Sequence, residues 1–93
     1  MIVGACELEI YIPGCASLKE KRFVLRSLKD RLRQRLNVAV SEAGYHDKWQ
    51  RSTLCVVTVS NDSKVVHSVL SSAQKLLEAE RRLELLDVRV ELR

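Results

Sequence analysis

The sequence predicts an α+β fold in which two helices cover one face of a four-stranded antiparallel sheet. Three observations lead to this prediction. Four segments alternate between apolar and polar residues with the period of a strand, and two segments place apolar residues at helical spacing. A short turn separates the two middle strands, as in a β-hairpin. A chain of 93 residues supports one hydrophobic core, so we expect a single domain over residues 1–93.

The first strand and the first helix have clear boundaries in the sequence. The strand covers residues 2–12, and Pro13 and Gly14 end it. The helix covers residues 17–36, and it begins with Ser17 and Glu20 at the spacing of a capping box. Its apolar face has spacings of seven, three, four and four residues: Leu18, Leu25, Leu28, Leu32 and Leu36. Phe23 and Val24 widen or flank that face.

The remaining elements are a hairpin, a second helix and a last strand. Residues 37–45 and 49–60 form the hairpin, and the nearly unbroken apolar run from Leu54 to Val59 suits an interior strand. Asp62 is the expected cap of a helix that runs to about Glu80, and residues 84–92 alternate as a strand. With right-handed connections, the order β-α-β-β-α-β is that of the ferredoxin-like βαββαβ sandwich.

Positive charge is concentrated in the first helix. Its segment holds eight of the sixteen Lys and Arg residues and two carboxylates, which gives a formal charge of +6. The whole chain carries +4, so the rest sums to −2. Five of the cations follow one another at spacings of three and four residues and define the basic stripe: Lys19, Arg22, Arg26, Lys29 and Arg33. Such a stripe can contact several backbone phosphates, with binding that weakens as salt rises. The alternative is a solvated helix face, partly neutralised by Glu20, Asp30 and Glu42.

The candidate site also includes Lys21, Trp49 and Arg51. Lys21 and Arg22 lie in the first helical turn, where a cation opposes the helix dipole by roughly a few tenths of a kcal/mol. That cost is easier to explain if the cations bind an anion. Trp49 either stacks on a base or covers the open end of the core, and Arg51 adds a polar contact if the hairpin end lies near the helix start.

The sheet face away from the helices is a weaker candidate for RNA binding. The RNA-recognition motif has the same element order, but it stacks bases on aromatic residues of its central strands. Here the first and last strands present mostly charged side chains: Glu7, Glu9, Tyr11, Asp87, Arg89 and Glu91. Carboxylates repel phosphates, so this face is expected to be either solvated and charge-paired or a surface for self-association.

The sequence contains no signature of known catalytic chemistry. P-loop, GxGxxG, HExxH and GxSxG motifs are missing, and the adjacent His46 and Asp47 have no nucleophile nearby in the sequence. The three cysteines are widely spaced, which predicts reduced thiols in a cytoplasmic protein and neither a disulfide framework nor a metal site. No run of eighteen apolar residues predicts a membrane span. We therefore expect no enzyme activity, cofactor, metal or membrane association.

Several separate motifs resemble those of the YlxP-like family of small bacterial proteins. They are IPGCASLKEKRFVLRSL at residues 12–28, NVAVSE at 37–42, HDKWQR at 46–51 and VSND at 59–62. The resemblance implies a ferredoxin-like fold, no established activity, and a gene that commonly lies between those of a translation initiation factor and a ribosome-binding factor. The recurring residues that it implies are Ser17, Leu18, Lys19, Lys21, Arg22, Trp49, Gln50 and Arg51. Cys15 departs from the usual residue before that motif.

The charge and the resemblance together predict a protein that binds RNA, a ribosome or a ribosome-assembly intermediate through its first helix. The predicted contacts are Lys19, Lys21, Arg22, Arg26, Lys29, Arg33, Trp49 and Arg51. The alternative is a protein-interaction or homodimerisation module without nucleic acid, which uses the sheet face or an exposed strand edge. A further alternative, a small enzyme acting on an anionic metabolite, needs a pocket and a reactive group that the sequence does not show clearly.

Overall fold

A computed structural model describes residues 1–93, and it has the predicted element order. The elements are β1 (Ile2–Tyr11), α1 (Leu18–Arg35), β2 (Ala39–Gly44), β3 (Arg51–Ser60), α2 (Ser63–Glu78) and β4 (Glu84–Leu92). The four strands form one antiparallel sheet in the order β2-β3-β1-β4. The prediction of an α+β, ferredoxin-like fold is confirmed. The hairpin strands are shorter than predicted, because residues 45–50 form the connection between them.

Local hydrogen bonds explain where the helices begin. The Ser17 hydroxyl accepts a hydrogen bond from the Glu20 N–H at 3.1 Å, and the Glu20 carboxylate accepts one from the Ala16 N–H at 2.8 Å. These contacts satisfy donors that the first helical turn leaves free. Asp62 caps α2 in the same way, by accepting a hydrogen bond from the Lys64 N–H at 2.9 Å. Neither helix is long and apolar enough to cross a membrane.

The hydrophobic core lies between the sheet and the two helices and is aliphatic. It contains 17 buried residues, among them Leu25, Leu28 and Leu32 from α1, and none of the chain's four aromatic residues. The approach of α2 to β1 is especially close at Gly4, where an added Cβ would lie 2.3 Å from Val66 Cγ1. Gly4 therefore sets how closely α2 packs on the sheet.

The sheet face away from the helices has two different parts. Between β1 and β4 the predicted charged residues are in register, with Glu7 opposite Arg89 and Glu9 opposite Asp87. Toward the start of β1, the neighbouring β3 side chains are apolar, with Val3 opposite Val59 and Ala5 opposite Val57. Val59 is 52% exposed. The sequence-based expectation, drawn from the first and last strands, described only the charged part.

Candidate nucleic-acid interface

The basic stripe lies along the flank of α1 that faces the β2 edge of the sheet. Helical periodicity turns the leucine face toward the core and places the cations beside it, at the boundary with solvent. Four of the five cations line a groove of about 400 Å³ between α1 and β2, whose lining residues are Arg22, Leu25, Arg26, Lys29, Asp30, Arg33 and Glu42. The structure thus brings most of the predicted cations together in one concave surface.

Four cations of the stripe have no carboxylate partner. Lys19, Arg22, Arg26 and Lys29 take part in none of the chain's eight ion pairs. The three carboxylates that were expected to neutralise them are largely occupied elsewhere. Glu20 caps α1, Glu42 pairs with Lys21, and Asp30 reaches only Arg33, at 4.0 Å. The positive charge of this flank is therefore mostly uncompensated within the chain.

Arg33, the fifth cation, is partly engaged by the sheet. Its guanidinium Nη2 donates a hydrogen bond at 3.1 Å to the backbone carbonyl of Val40, on the edge strand β2. Its Nη1 lies 4.0 Å from the Asp30 carboxylate. Arg33 can still offer N–H donors to an anion, because a guanidinium carries five of them. It nevertheless contributes less free charge to the groove than its neighbours do.

Lys21 does not belong to the exposed site, which corrects the sequence-based assignment. Its side chain is only 2% exposed. The ammonium Nζ lies 2.9 Å from Glu42 Oε2 and donates a hydrogen bond to the backbone carbonyl of Tyr45 at 2.5 Å. A buried ammonium with these partners cannot reach a phosphate on the surface. The helix-dipole argument for an anionic ligand therefore applies to Arg22 but not to Lys21, whose compensating charge is Glu42.

Glu42, which the sequence suggested only as a counter-charge for the exposed stripe, is the partner of the buried Lys21. Its carboxylate also accepts a hydrogen bond from the Ser52 hydroxyl at 2.8 Å, so α1, β2 and β3 meet at this group. Burial opposes ionisation of Glu42, but the hydrogen bonds from Lys21 and Ser52 outweigh it and hold the pKa of Glu42 below its ordinary value. The carboxylate is therefore charged at neutral pH and balances the buried ammonium.

The end of the hairpin lies beside the start of α1. The Ile12 N–H donates a hydrogen bond to the Gln50 carbonyl at 2.8 Å, and Gln50 Nε2 donates one to the Cys15 carbonyl at 3.4 Å. Lys21 anchors the same connection through Tyr45. Trp49, which is 51% exposed, is thus held at the end of the molecule where α1 begins. The sequence analysis gave Arg51 a role only if the hairpin end lies near the helix start. The structure has the hairpin end in that position.

Arg51 has partners of its own at this end of the sheet. Its guanidinium lies 3.6 Å from the Glu9 carboxylate and 4.8 Å from the centre of the Tyr45 ring. Tyr45 itself has a positive φ of 62°, which is uncommon for a residue other than glycine. These contacts make Arg51 primarily a residue that orders the hairpin connection, and they reduce the charge that it offers to a ligand.

A scan against family models matches residues 3–90 to a family described as protein of unknown function (DUF503). The chain belongs to the DUF503 family. It is similar to the uncharacterized protein YlxP of Bacillus subtilis, with 36% identity over 86 residues that cover 88% of this chain and 94% of that protein. The predicted resemblance is confirmed. Among solved structures, the structured domain of Drosophila melanogaster Boca matches 94% of this chain and 95% of its own, with a TM-score of 0.61 and 10% identity, which supports the fold.

Two of the three cysteines of this DUF503 protein, Cys6 and Cys55, lie apart from the basic groove. Cys6 is buried in the core, and burial, together with the charges of Cys55 and Glu7, raises the pKa of its thiol to about 11. Burial and Glu7 also raise the pKa of Cys55. Both thiols are protonated at neutral pH and are weak nucleophiles. No group of three or more His, Cys, Asp or Glu side chains is arranged to hold a metal ion.

Proposed function

We propose that this DUF503 protein binds RNA, either free or within a ribosomal particle, through the basic stripe of α1. The observation that supports the proposal is the groove between α1 and β2, where Arg22, Arg26 and Lys29 have no carboxylate partner and Arg33 keeps only part of its charge paired. Lys19 extends the stripe toward the helix start. A cytoplasmic location belongs to the same proposal.

The stripe is long enough, and carries enough positive charge, to contact several phosphates of a polyanion. Lys19 and Arg33 are fourteen residues apart on α1, which corresponds to about 21 Å along the helix axis. Each phosphate that a cation neutralises releases condensed counterions, so the gain in free energy grows with the number of contacts and falls with salt. The remainder of the chain carries −2, and its acidic sheet face would repel the same ligand. This asymmetry of charge favours an approach in which α1, rather than the sheet face, meets the RNA.

Trp49 and the ion pair between Lys21 and Glu42 have different roles in this proposal. Trp49 is exposed near the helix start and offers a ring on which a base can stack. Lys21 makes no phosphate contact; it holds the hairpin connection against α1 through Glu42 and the Tyr45 carbonyl. Lys21 is therefore a positioning residue, and its loss should affect stability before it affects the charge of the groove.

A titration with ribosomal RNA tests the proposal. The gene neighbourhood implied by the family resemblance makes this RNA the first probe. Wild type and the variant Lys19/Arg22/Arg26→Ala are compared by filter binding at about 50 and about 200 mM salt. Removing three phosphate contacts should weaken binding roughly a hundredfold at the lower salt and reduce the slope of log K against log salt by roughly 2. Equal binding by the two proteins, or binding that ignores salt, contradicts the proposal.

A matched control separates local charge from net charge. The variant Lys64/Lys75/Arg81→Ala also lowers the net charge from +4 to +1, but its exposed cations lie on α2 and in the following loop. It should bind RNA far more tightly than the α1 variant does. Recovery of the protein from cells before and after nuclease treatment completes the test, because an RNA-mediated complex is lost after nuclease.

A second candidate function is association with another protein, or with a second copy, through the sheet face. The observation that favours it is the apolar part of that face around Val3, Ala5, Val57 and Val59, which neither helix covers. Sedimentation of nuclease-treated protein over a range of concentrations tests it. If this function is correct, a dimer should form in wild type and be lost in Val59→Lys, whereas the α1 variant should still form it.

A further inference from the structure

Phe23 is the most exposed aromatic residue of the chain. The sequence placed it with Val24 beside the apolar stripe of α1, but only Val24 is buried, and Phe23 is 71% exposed. A phenyl ring on the outer surface of a helix gives up the free energy that its burial would contribute. The core does not need it, because none of its 17 residues is aromatic. The position of Phe23 therefore calls for an explanation outside the fold.

Two of the four neighbours of Phe23 on the helix surface are cations of the basic stripe, and the other two are Glu20 and Ser27. Lys19 precedes it by four residues and Arg26 follows it by three, and both spacings place side chains side by side on a helix. The ring borders a shallow depression of about 360 Å³ that also includes Arg26, Ser27, Asp30, Arg31 and Gln34. The chain's one cation–π contact joins Arg51 and Tyr45, so no cation covers the Phe23 ring.

An exposed ring among phosphate-binding cations is suited to one form of RNA. Surfaces for single strands combine a positively charged track with aromatic rings on which bases stack. A double helix keeps its bases stacked on one another and offers shape, phosphates and 2′-hydroxyls instead. Phe23 borders the stripe beside Lys19 and Arg26, and Trp49 is exposed at the end where α1 begins. The chain's single Phe and single Trp are thus both available to unstacked bases.

We infer that the basic stripe takes single-stranded RNA and that Phe23 is a stacking residue of this site. One base lies against the Phe23 ring while Lys19 and Arg26 hold the phosphates on either side of it. Trp49 provides a second stacking position near the helix start. This inference rests on the proposed RNA-binding function and narrows it, because a duplex would use the cations but not the ring.

The test compares one RNA sequence in two forms. The probes are a fluorescein-labelled strand of about 12 nucleotides with little self-complementarity and the same strand annealed to its complement. Binding is followed by fluorescence anisotropy for wild type, Phe23→Leu, Phe23→Tyr and Arg26→Gln. Phe23→Leu keeps an apolar side chain without a ring, and Phe23→Tyr keeps the ring. Thermal unfolding of each variant confirms that an exposed substitution leaves the fold intact.

The expected pattern is specific to stacking. Wild type should prefer the single strand, and Phe23→Leu should bind it roughly tenfold more weakly with little change for the duplex. Phe23→Tyr should retain wild-type affinity. The salt slope should stay the same in Phe23→Leu and fall in Arg26→Gln, because only the second variant removes a phosphate contact.

Other results would overturn the inference, and they separate it from the proposed function. If Arg26→Gln weakens both forms while Phe23→Leu weakens neither, RNA binding stands and stacking on Phe23 is wrong. If wild type binds the duplex more tightly than the single strand, RNA binding likewise stands and stacking on Phe23 is wrong. If wild type binds neither probe and no ribosomal RNA, both proposals fail. If Phe23→Leu leaves RNA affinity unchanged but abolishes a nuclease-resistant complex with a protein, the ring is a protein-docking residue instead.

Discussion

Lys21 and Glu42 form an ion pair that joins α1 to the edge strand β2, with 2.9 Å between the buried ammonium Nζ and Oε2 of the partly buried carboxylate. The Tyr45 carbonyl and the Ser52 hydroxyl supply the remaining hydrogen bonds. The pair lies directly behind the groove that the basic stripe lines, since Glu42 contributes to the groove wall. It therefore holds the two sides of the candidate interface at a fixed separation.

Removing one member of this pair should destabilise the protein strongly. Glu42→Gln leaves the Lys21 ammonium buried without a counter-charge, and we expect the free energy of unfolding to fall by about 3 kcal/mol. The double variant Lys21→Met/Glu42→Gln should recover much of that loss, because it removes the unpaired charge and keeps the side-chain volume. Urea unfolding followed by circular dichroism measures both effects.

The exposed pair between Asp30 and Arg33 provides the control for this experiment. Its atoms lie 4.0 Å apart and both side chains are at least half exposed. Asp30→Asn should therefore change the free energy of unfolding by about 0.5 kcal/mol or less. Similar losses for Asp30→Asn and Glu42→Gln would show that the Lys21–Glu42 pair has no special role in stability.

Acid should weaken the packing of α1 against the segment between α2 and β4. Arg82 donates hydrogen bonds to the Glu80 carboxylate at 2.9 and 3.0 Å, and Arg31 of α1 pairs with the same group. The hydrogen bonds from Arg82 outweigh burial and lower the pKa of Glu80 from 4.5 to about 2. The folded protein therefore holds this proton less tightly than the unfolded chain does. The stabilisation is complete above about pH 4.5 and is lost as the pH falls toward 2.

Glu80→Gln tests this pH dependence. The variant should be less stable than wild type at pH 7, by about 2 kcal/mol once solvent screening of the two partly exposed arginines is allowed for. The difference between the two proteins should shrink steadily between about pH 4.5 and pH 2, as wild-type Glu80 becomes protonated. Urea unfolding at several pH values measures it, and a difference that stays constant with pH would contradict the assignment.

The fold was predictable because its signals are local and repeated. The Ser17 cap, the leucine face of α1 and the alternation in the strands each depend on residues close in sequence, and they agree with one another. The ends of the hairpin strands were less predictable. Residues 45–50 are ordered by contacts with Ile12, Cys15 and Lys21, which are distant in sequence and leave no spacing pattern.

The candidate site was predictable in its charge but not in its orientation. The apolar face of α1 has a gap of seven residues between Leu18 and Leu25, and Lys21 occupies the missing position, three residues after one and four before the other. That spacing was a usable signal of burial. Fully buried lysines are nevertheless rare, and the partner Glu42 lies on another element. Phe23 is the opposite case, an apolar residue that is exposed. Its hydrophobicity suggested burial, but its position on α1 turns the side chain toward solvent.

The contact between Gly4 and α2 leads to a prediction about packing. A Cβ at residue 4 would lie 2.3 Å from Val66 Cγ1 and 3.1 Å from Leu70 Cδ1, so Gly4→Ala should lower the free energy of unfolding by about 1–3 kcal/mol. Val66→Ala removes the obstructing methyl group and creates a cavity of its own. In the double variant the two losses should therefore be less than additive, as a double-mutant cycle by urea unfolding would measure. Strict additivity would show that the two positions do not compete for the same space.

Arg33 belongs both to the proposed RNA-binding stripe and to the contacts that cover the sheet edge. β2 is an edge strand, and edge strands present unpaired backbone groups that can recruit another chain. Arg33 covers one of these groups, the Val40 carbonyl, by donating a hydrogen bond at 3.1 Å. Arg33→Gln should therefore increase self-association at high protein concentration, which sedimentation velocity measures. Arg22→Gln, with the same change of charge but no hydrogen bond or ion pair to β2, is the matched control.

The same pair of variants also ranks the two arginines in the groove. Arg22 has no carboxylate partner, whereas Arg33 divides its donors between Val40, Asp30 and solvent. A cation that must give up internal contacts gains less from a phosphate, so Arg22→Gln should reduce RNA affinity more than Arg33→Gln does. If Arg33→Gln reduces affinity more while the protein stays monomeric, Arg33 leaves β2 when RNA binds. The edge would then be uncovered only in the complex, and self-association should rise when RNA is added to wild type.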